Sequence, residues 1–236
     1  MSLTINWSDI DTVLLDMDGT ILDLAFDNFF WLDYLPQVYA EKNQISLEES
    51  KRFLADSYGA IEGKLQWYCL DFWSERLNLD IVALKYKVKD KVAFRPGAVA
   101  FLEYLCSLQK KIYLVTNAHP KSLEIKLLNA KFHQYFDDLC SSHELGYPKE
   151  EQLFWQLVQD KYQFNSARTL FVDDSVRILK SAQEFGIGKV LGIAQPDSRR
   201  EIIETSPFDA IVDFEQLIKT EDYGKKTSNH STEANR

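Results

Sequence analysis

Short apolar runs alternate with helical patterns along most of this chain, and that alternation is what narrows its fold most. TVLL (12–15), KIYLVTN (111–117), TLFVDD (169–174), KVLGI (189–193) and DAIVD (209–213) read as strands, being apolar or β-branched until turn chemistry stops them. DDLCSSHEL (137–145) holds one more short strand. Between these runs lie SLEIKLLNA, KEEQLFWQLVQDKY and VRILKSAQEFG, which carry helical periodicity, the last stopping at Gly186 as helices often do. Strands separated by helices must be parallel, joined by right-handed crossovers and covered on both faces. The expected class is α/β, a doubly wound parallel sheet.

The alternation breaks between residues 22 and 92, where helical stretches follow one another with no strand signal between them. We read an inserted helical domain there, ending near the turn Arg95-Pro96-Gly97. The expected division is core over 1–21 and 93–222, helical insertion over 22–92, and a disordered tail over 223–236, where GKKTSNHSTEANR has no apolar periodicity. The insertion is rich in rings, among them Phe26, Phe29, Phe30, Trp31, Tyr34, Trp67, Tyr68, Phe72 and Trp73. Most such rings fill a bundle core, leaving a few to line a pocket.

The 236 residues, 45% hydrophobic and 27% charged, suffice for a substantial core and fit an ordinary soluble protein. A formal net charge of -9 argues against nucleic-acid partners and anionic membranes, but not against one anionic substrate bound locally. Cys69, Cys106 and Cys140 are odd in number and far apart, so neither a disulfide framework nor a zinc site is indicated. A reducing cytoplasm fits best. The N-terminus lacks a basic segment followed by an apolar one, and no run is long enough to span a bilayer.

In open parallel sheets, ligands bind at the C-terminal strand ends, and the polar residues of this chain collect there. The first strand ends at Asp16 and Asp18, the second at Thr116-Asn117, and TLFV at Asp173-Asp174; Lys149 follows the turn Gly146-Tyr147-Pro148 and is expected to open a helix. Each alone could be a turn or a helix cap. Converging carboxylates, however, do not all stay ionised without a cation, and hard oxygens suit Mg²⁺, usually shared with phosphate oxygens. With the Lys149 ammonium and the Thr116 hydroxyl, the set describes a site for a phosphoryl group.

Asp16-Met17-Asp18-Gly19-Thr20, Thr116-Asn117, Lys149 and Asp173-Asp174 resemble the four ordered motifs of the haloacid dehalogenase-like hydrolases, over residues 12 to about 215. The resemblance implies a Rossmann-like core, and the insertion is similar to that family's C1-type cap. LLDMDGTILDLAFDNFFW, WYCLDFWSERLNLDI, TNAHP and GYPKE look like the bacterial GMP/IMP nucleotidases of this superfamily. It implies Asp16 as the nucleophile that forms an aspartyl-phosphate and Asp18 as general acid and base. It implies Mg²⁺ held by the Asp16 carboxylate, the Asp18 carbonyl and the Asp173-Asp174 pair, with Thr116, Asn117 and Lys149 on the phosphate. One departure stands out: where many relatives read G-D-S-x-x-D, FVDDSVRI has Asp173 at the Gly position and Ile178 at the later Asp. Aligned on Ser175, Asp174 is the direct ligand with Asp173 behind it, unless the two exchange roles.

The expected activity is thus a Mg²⁺-dependent phosphomonoesterase acting on a purine nucleoside 5'-monophosphate, as a cytoplasmic monomer or weak dimer. The alternative is a phosphatase or mutase acting on sugar phosphates or phosphoglycolate-like metabolites. Asp18 argues against a dehalogenase, and the insertion against a phospho-accepting receiver domain. A binding protein without activity would lack Asp16, Asp18 or Lys149, and none is missing. His119 is expected to serve helix entry or substrate orientation, and Arg177 to be a solvated helix charge. Trp31, Tyr34 and Trp67 are the rings expected to grip a purine.

Overall fold

A computed structural model describes residues 5–218. The expected tail over 223–236 lies outside the described residues, as do 219–222. Among the described residues six parallel strands form one sheet: β1 (Thr12–Leu15), β2 (Lys111–Thr116), β3 (Asp138–Ser141), β4 (Thr169–Asp173), β5 (Lys189–Ile193) and β6 (Ala210–Ile211). Their spatial order is β3-β2-β1-β4-β5-β6, so the chain works outward from β1 to one edge and then to the other. That reversal beside β1 is the switch point of a doubly wound sheet.

The central strands β1 and β4 are buried on both faces along their whole length, which is why they read as apolar runs rather than alternating ones. Val13 and Leu15 of β1, with Leu114 and Val172, pack against helix Ala98–Ser107 on one side. Leu14, with Val115 and Phe171, points to the other side and meets helices Gln152–Tyr162 and Val176–Phe185. The register sets Leu15 level with Leu114 and Val172, so the next residue, Asp16, emerges beside the ends of β2 and β4. Its backbone N–H donates to the Val172 carbonyl at 3.0 Å, extending the β4 ladder by one bond.

Between β1 and helix Ala98–Ser107 the elements are helical: Ala25–Phe29, a π turn over Phe30–Tyr34, then Leu35–Asn43, Leu47–Gly59, Leu65–Tyr68, Leu70–Leu77 and Ile81–Lys87. They have a hydrophobic cluster of their own, built on Phe30, Leu35, Leu54, Leu70, Trp73, Leu77, Ile81 and Leu84. Helix Leu47–Gly59 begins with a reciprocal cap, Ser46 against Glu49, which satisfies backbone donors that the first turn leaves unpaired. The insertion leaves and rejoins the sheet at one neck, where Asp23 N donates to Ala93 O at 2.9 Å and Arg95 N to Ile21 O at 3.0 Å. Arg95, 3% exposed, braces that neck by donating to the Gln195 and Val212 carbonyls at 2.8 and 2.7 Å.

Two local expectations are corrected. DAIVD pairs only at Ala210–Ile211, because β6 is an edge strand with β5 as its one neighbour. Lys149 does not open a helix: it sits in a turn, and the helix starts at Gln152. The turn is held by Asn117, whose Oδ1 accepts from Lys149 N at 2.9 Å, and it points the lysine at the sheet edge.

Candidate active site

A cavity of about 370 Å³ lies between the carboxyl edge of the sheet and the insertion. Its floor holds every site residue expected from the sequence: Asp16, Asp18, Thr116, Asn117, Lys149, Asp173 and Asp174. Lys149, 1% exposed, bridges two strand ends, its Nζ donating to Asp16 Oδ1 and, at 2.7 Å, to Asp173 Oδ2. Asp173 is committed at both oxygens, since Oδ1 also accepts from Ser175 N at 2.8 Å. Asp174 has no ion pair to any described lysine or arginine.

Oxygens of Asp16, Asp173 and Asp174 all lie within 4.8 Å of one another. Three carboxylates against the single Lys149 ammonium leave two formal negative charges unbalanced in a dehydrated place, so the donor set fits a divalent cation. The imbalance is visible in acidity. Burial pushes Asp174 well above the usual carboxylate range, with Asp173 and Asp16 adding to it. Burial also raises Asp16 to about 6, against the pull of Lys149. Gly19 belongs to the same constellation: at φ +80 a Cβ there would stand 2.5 Å from Asp174 Oδ2 and 2.7 Å from its Cγ. Only a residue without a side chain lets the Asp16–Thr20 loop close over that carboxylate.

A second charged chain runs from the sheet into the insertion. Lys126, on helix Pro120–Ala130, donates to Asp18 Oδ1 at 2.5 Å and to Asp27 Oδ2 at 2.7 Å. Lys85, on helix Ile81–Lys87, donates to the other Asp27 oxygen at 2.6 Å and packs over the rings of Phe26, Phe30 and Trp31. Both lysines are at most 2% exposed, and positive and negative groups alternate along the chain. Burial would raise Asp27, but Lys126 and Lys85 hold it well below the usual range. Asp18, at the partly exposed end, is raised to about 6 by burial, with Lys126 opposing and Asp27 and Asp16 adding to the rise. Lys126, Asp27 and Lys85 are the residues that sequence reading missed, although each lysine falls on the inward face of its helix.

The cavity walls correct one expectation and refine others. Trp31 and Trp67 face the cavity, with Tyr58, Tyr68 and Trp73; Tyr34 does not, because it packs against Phe29 and Phe30 within the helical cluster. Tyr68 OH donates to Glu150 Oε1 at 2.7 Å, and Asn117 Nδ2 to Glu150 Oε2 at 2.9 Å, tying insertion, turn and strand end together. His119 caps its helix, accepting at Nδ1 from Lys121 N at 3.3 Å. Arg177 is half-exposed but not solitary: it reaches across the cavity mouth to Glu62 of the insertion at 2.6 Å.

A parallel sheet with an acidic, lysine-bridged site at its carboxyl edge and helices inserted above it defines an α/β enzyme. Comparison with known proteins narrows this. The chain belongs to the haloacid dehalogenase-like hydrolases, whose family model matches residues 10–186. It is 41% identical over 218 residues to the GMP/IMP nucleotidase YrfG of Escherichia coli (strain K12), covering 92% of this chain and 98% of that one. It is 28% identical over 177 residues to the pyrimidine 5'-nucleotidase YjjG of the same organism, covering 70% and 77%. Among solved structures, a HAD phosphatase from Thermococcus onnurineus superposes with a TM-score of 0.71 at 22% identity, over 88% of this chain and 95% of that one. The HAD-hydrolase YfnB from Bacillus subtilis, bound to magnesium, gives 0.64 at 21% identity, over 88% and 96%. At those identities the structures attest the fold alone.

Proposed function

We propose that this hydrolase is a Mg²⁺-dependent phosphomonoesterase that cleaves purine nucleoside 5'-monophosphates, GMP and IMP, through an aspartyl-phosphate on Asp16. The observation that carries the reading is the convergence of Asp16, Asp18 and Lys149 at one end of an aromatic-walled cavity. The likeness to the GMP/IMP nucleotidase over nearly the whole of both chains supports the choice of substrate. The reaction is cytoplasmic on this reading, in keeping with three free cysteines. Among the described residues no helix is long and apolar enough to cross a membrane.

Asp16, Asp174 and the Asp18 carbonyl would hold Mg²⁺, with Asp173 behind them oriented by Lys149; the ion would neutralise phosphoryl charge. The chain's own groups do the rest. An Asp16 carboxylate oxygen attacks phosphorus, and the bond from phosphorus to the ester oxygen breaks. Asp18, protonated, gives its proton to that oxygen as the nucleoside leaves. As a carboxylate it then takes a proton from water, whose oxygen attacks the same phosphorus; inorganic phosphate departs and Asp16 is restored. Thr116 offers its hydroxyl and Lys149 its ammonium to the phosphoryl oxygens. The Asn117 side chain is engaged by Lys149 N and Glu150, and its backbone N–H would be offered to the phosphate beside the Thr116 hydroxyl.

Phosphate release from a panel of purine and pyrimidine nucleotides, sugar phosphates and phosphoglycolate, with and without Mg²⁺, tests the proposal. We expect GMP and IMP to be preferred, and Asp16→Asn to be inactive with an unchanged unfolding transition. Activity in Asp16→Asn would end the covalent scheme, activity in EDTA the metal assignment, and sugar phosphates turning over as well as GMP the nucleotidase reading.

A further inference from the structure

The acidic cluster belongs to the reaction, but a second group of ligating side chains lies outside it, where the insertion meets the sheet edge. Cys69 caps helix Leu70–Leu77 in the insertion, His119 caps helix Pro120–Ala130 after β2, and His143 lies in the turn of helix after β3. Cys69 Sγ, one His119 nitrogen and one His143 nitrogen all lie within 4.8 Å of one another. We propose that Cys69, His119 and His143 form a second metal site, for Zn²⁺, which fastens the insertion to the sheet edge.

Several independent features point the same way. His143 Nε2 is buried and has no hydrogen-bond partner among the described residues, an arrangement that costs free energy unless something accepts its lone pair or its proton. The two imidazoles meet edge to face, with centroids 4.9 Å apart and planes at 73°, and one nitrogen of each lies within 4.8 Å of the other. His119 Nδ1 is already held by Lys121 N, which fixes the ring and leaves Nε2 for a ligand. Asp71 Oδ2 lies 3.7 Å from that Nε2 but outside the three-donor group, and the other Asp71 oxygen is held by Lys121 Nζ at 2.8 Å, so water would complete the shell. A tetrahedral zinc shell has donor separations of about 3.5 Å, so the three donors, now within 4.8 Å of one another, would draw together by at most about 1.3 Å on binding.

Donor chemistry separates this site from the acidic one. One thiolate and two imidazoles suit Zn²⁺, whereas carboxylate and carbonyl oxygens suit Mg²⁺. Burial lowers both imidazoles, His143 to about 4, and so keeps them in the neutral form that coordinates. Binding Zn²⁺ forms the sulfur–metal bond and releases the Cys69 thiol proton to solvent. The neighbours of Cys69, Tyr68 and Leu70, line the cavity, as does His119, so the ion would fix a cavity wall to the segment that carries Thr116 and Asn117. The inference does not depend on which phosphate ester is cleaved.

The test uses the full chain, stripped of metal and returned to buffer with millimolar Mg²⁺ to occupy the acidic cluster. Co²⁺ should then produce a thiolate-to-cobalt charge-transfer band with the strong visible absorption of a tetrahedral site, and one equivalent of Zn²⁺ should bleach it. Cys69→Ser should abolish that band, and His143→Gln should weaken Zn²⁺ binding at least about 10-fold. In the wild type, Zn²⁺ should protect Cys69 from alkylation while exposed Cys106 still reacts, a readout that needs no variant to fold. No charge-transfer band in the wild type, an unchanged cobalt spectrum in Cys69→Ser, or Cys69 alkylation unaffected by Zn²⁺ would each overturn the site.

Discussion

Lys126 is charged and 1% exposed, and what makes that tolerable is its position between two carboxylates. Lys126→Met would leave Asp27 with half its compensation and Asp18 with none. Truncating one partner of a buried pair in this way typically costs about 3–5 kcal/mol. We expect a loss of that size in urea unfolding, with part of it recovered when Asp18→Asn is added, because the side chain left without its cation is then neutral while Asp27 keeps Lys85. Gly19→Ala should cost less, about 1–2 kcal/mol for a side chain forced to positive φ, yet should displace Asp174. The measurable sign is a Mg²⁺ requirement for phosphate release shifted to higher concentration. At this scale the sequence was partly legible. The ordered acids, Thr116 and Lys149 announced themselves because strand ends and turns are local signals. Lys126 also left a trace, sitting three residues after Leu123 on the inward face of its helix, but its partners lie 99 and 108 positions away, and nothing local names them.

Strands and helices were legible because burial on both faces, or on one stripe, writes a period into the chain. Element ends were less so: β6 stops after two residues, and the Lys149 turn is set by Asn117, 32 residues upstream. Which rings of the insertion face the cavity was not legible, since Trp31, Tyr34 and Trp67 share helical spacing and differ only in what packs behind them. Helix Leu65–Tyr68 is the element on which this matters most, for it carries Trp67 and Tyr68 together on the cavity wall. If Trp67 stacks on the base, Trp67→Ala should lower kcat/KM for GMP by about 5- to 100-fold, the span expected for one base–ring stack, and leave an aryl phosphate nearly unaffected. Equal losses on both substrates would place the ring in the bundle's packing instead.

For the whole molecule, acid acts in two opposing directions. His143 has a folded pKa near 4, below the ordinary value of about 6.5, so the unfolded chain takes up the proton first. Its contribution is therefore intact above pH ~6.5 and is lost as pH falls toward 4, at most about 3 kcal/mol. Asp16 and Asp18, raised to about 6, bind protons in the folded state first and add stability over much of the same interval. The wild-type profile is a sum, so the informative quantity is the difference from His143→Gln, measured by urea unfolding in EDTA. That difference should open below pH 6.5 and level off near 4; a constant difference would mean the imidazole is not held neutral. The neck at Ile21–Asp23 and Ala93–Arg95 has a consequence of another kind. Because the insertion departs and returns through adjacent backbone bonds, the sheet sees some seventy residues as a single long loop, and loop length costs little entropy to close. We expect such a cassette to be exchangeable without disturbing the register of β1 where Asp27 is kept to pair Lys126, so that on the proposed reading the surface meeting the leaving group can diversify over a reactive edge that stays the same.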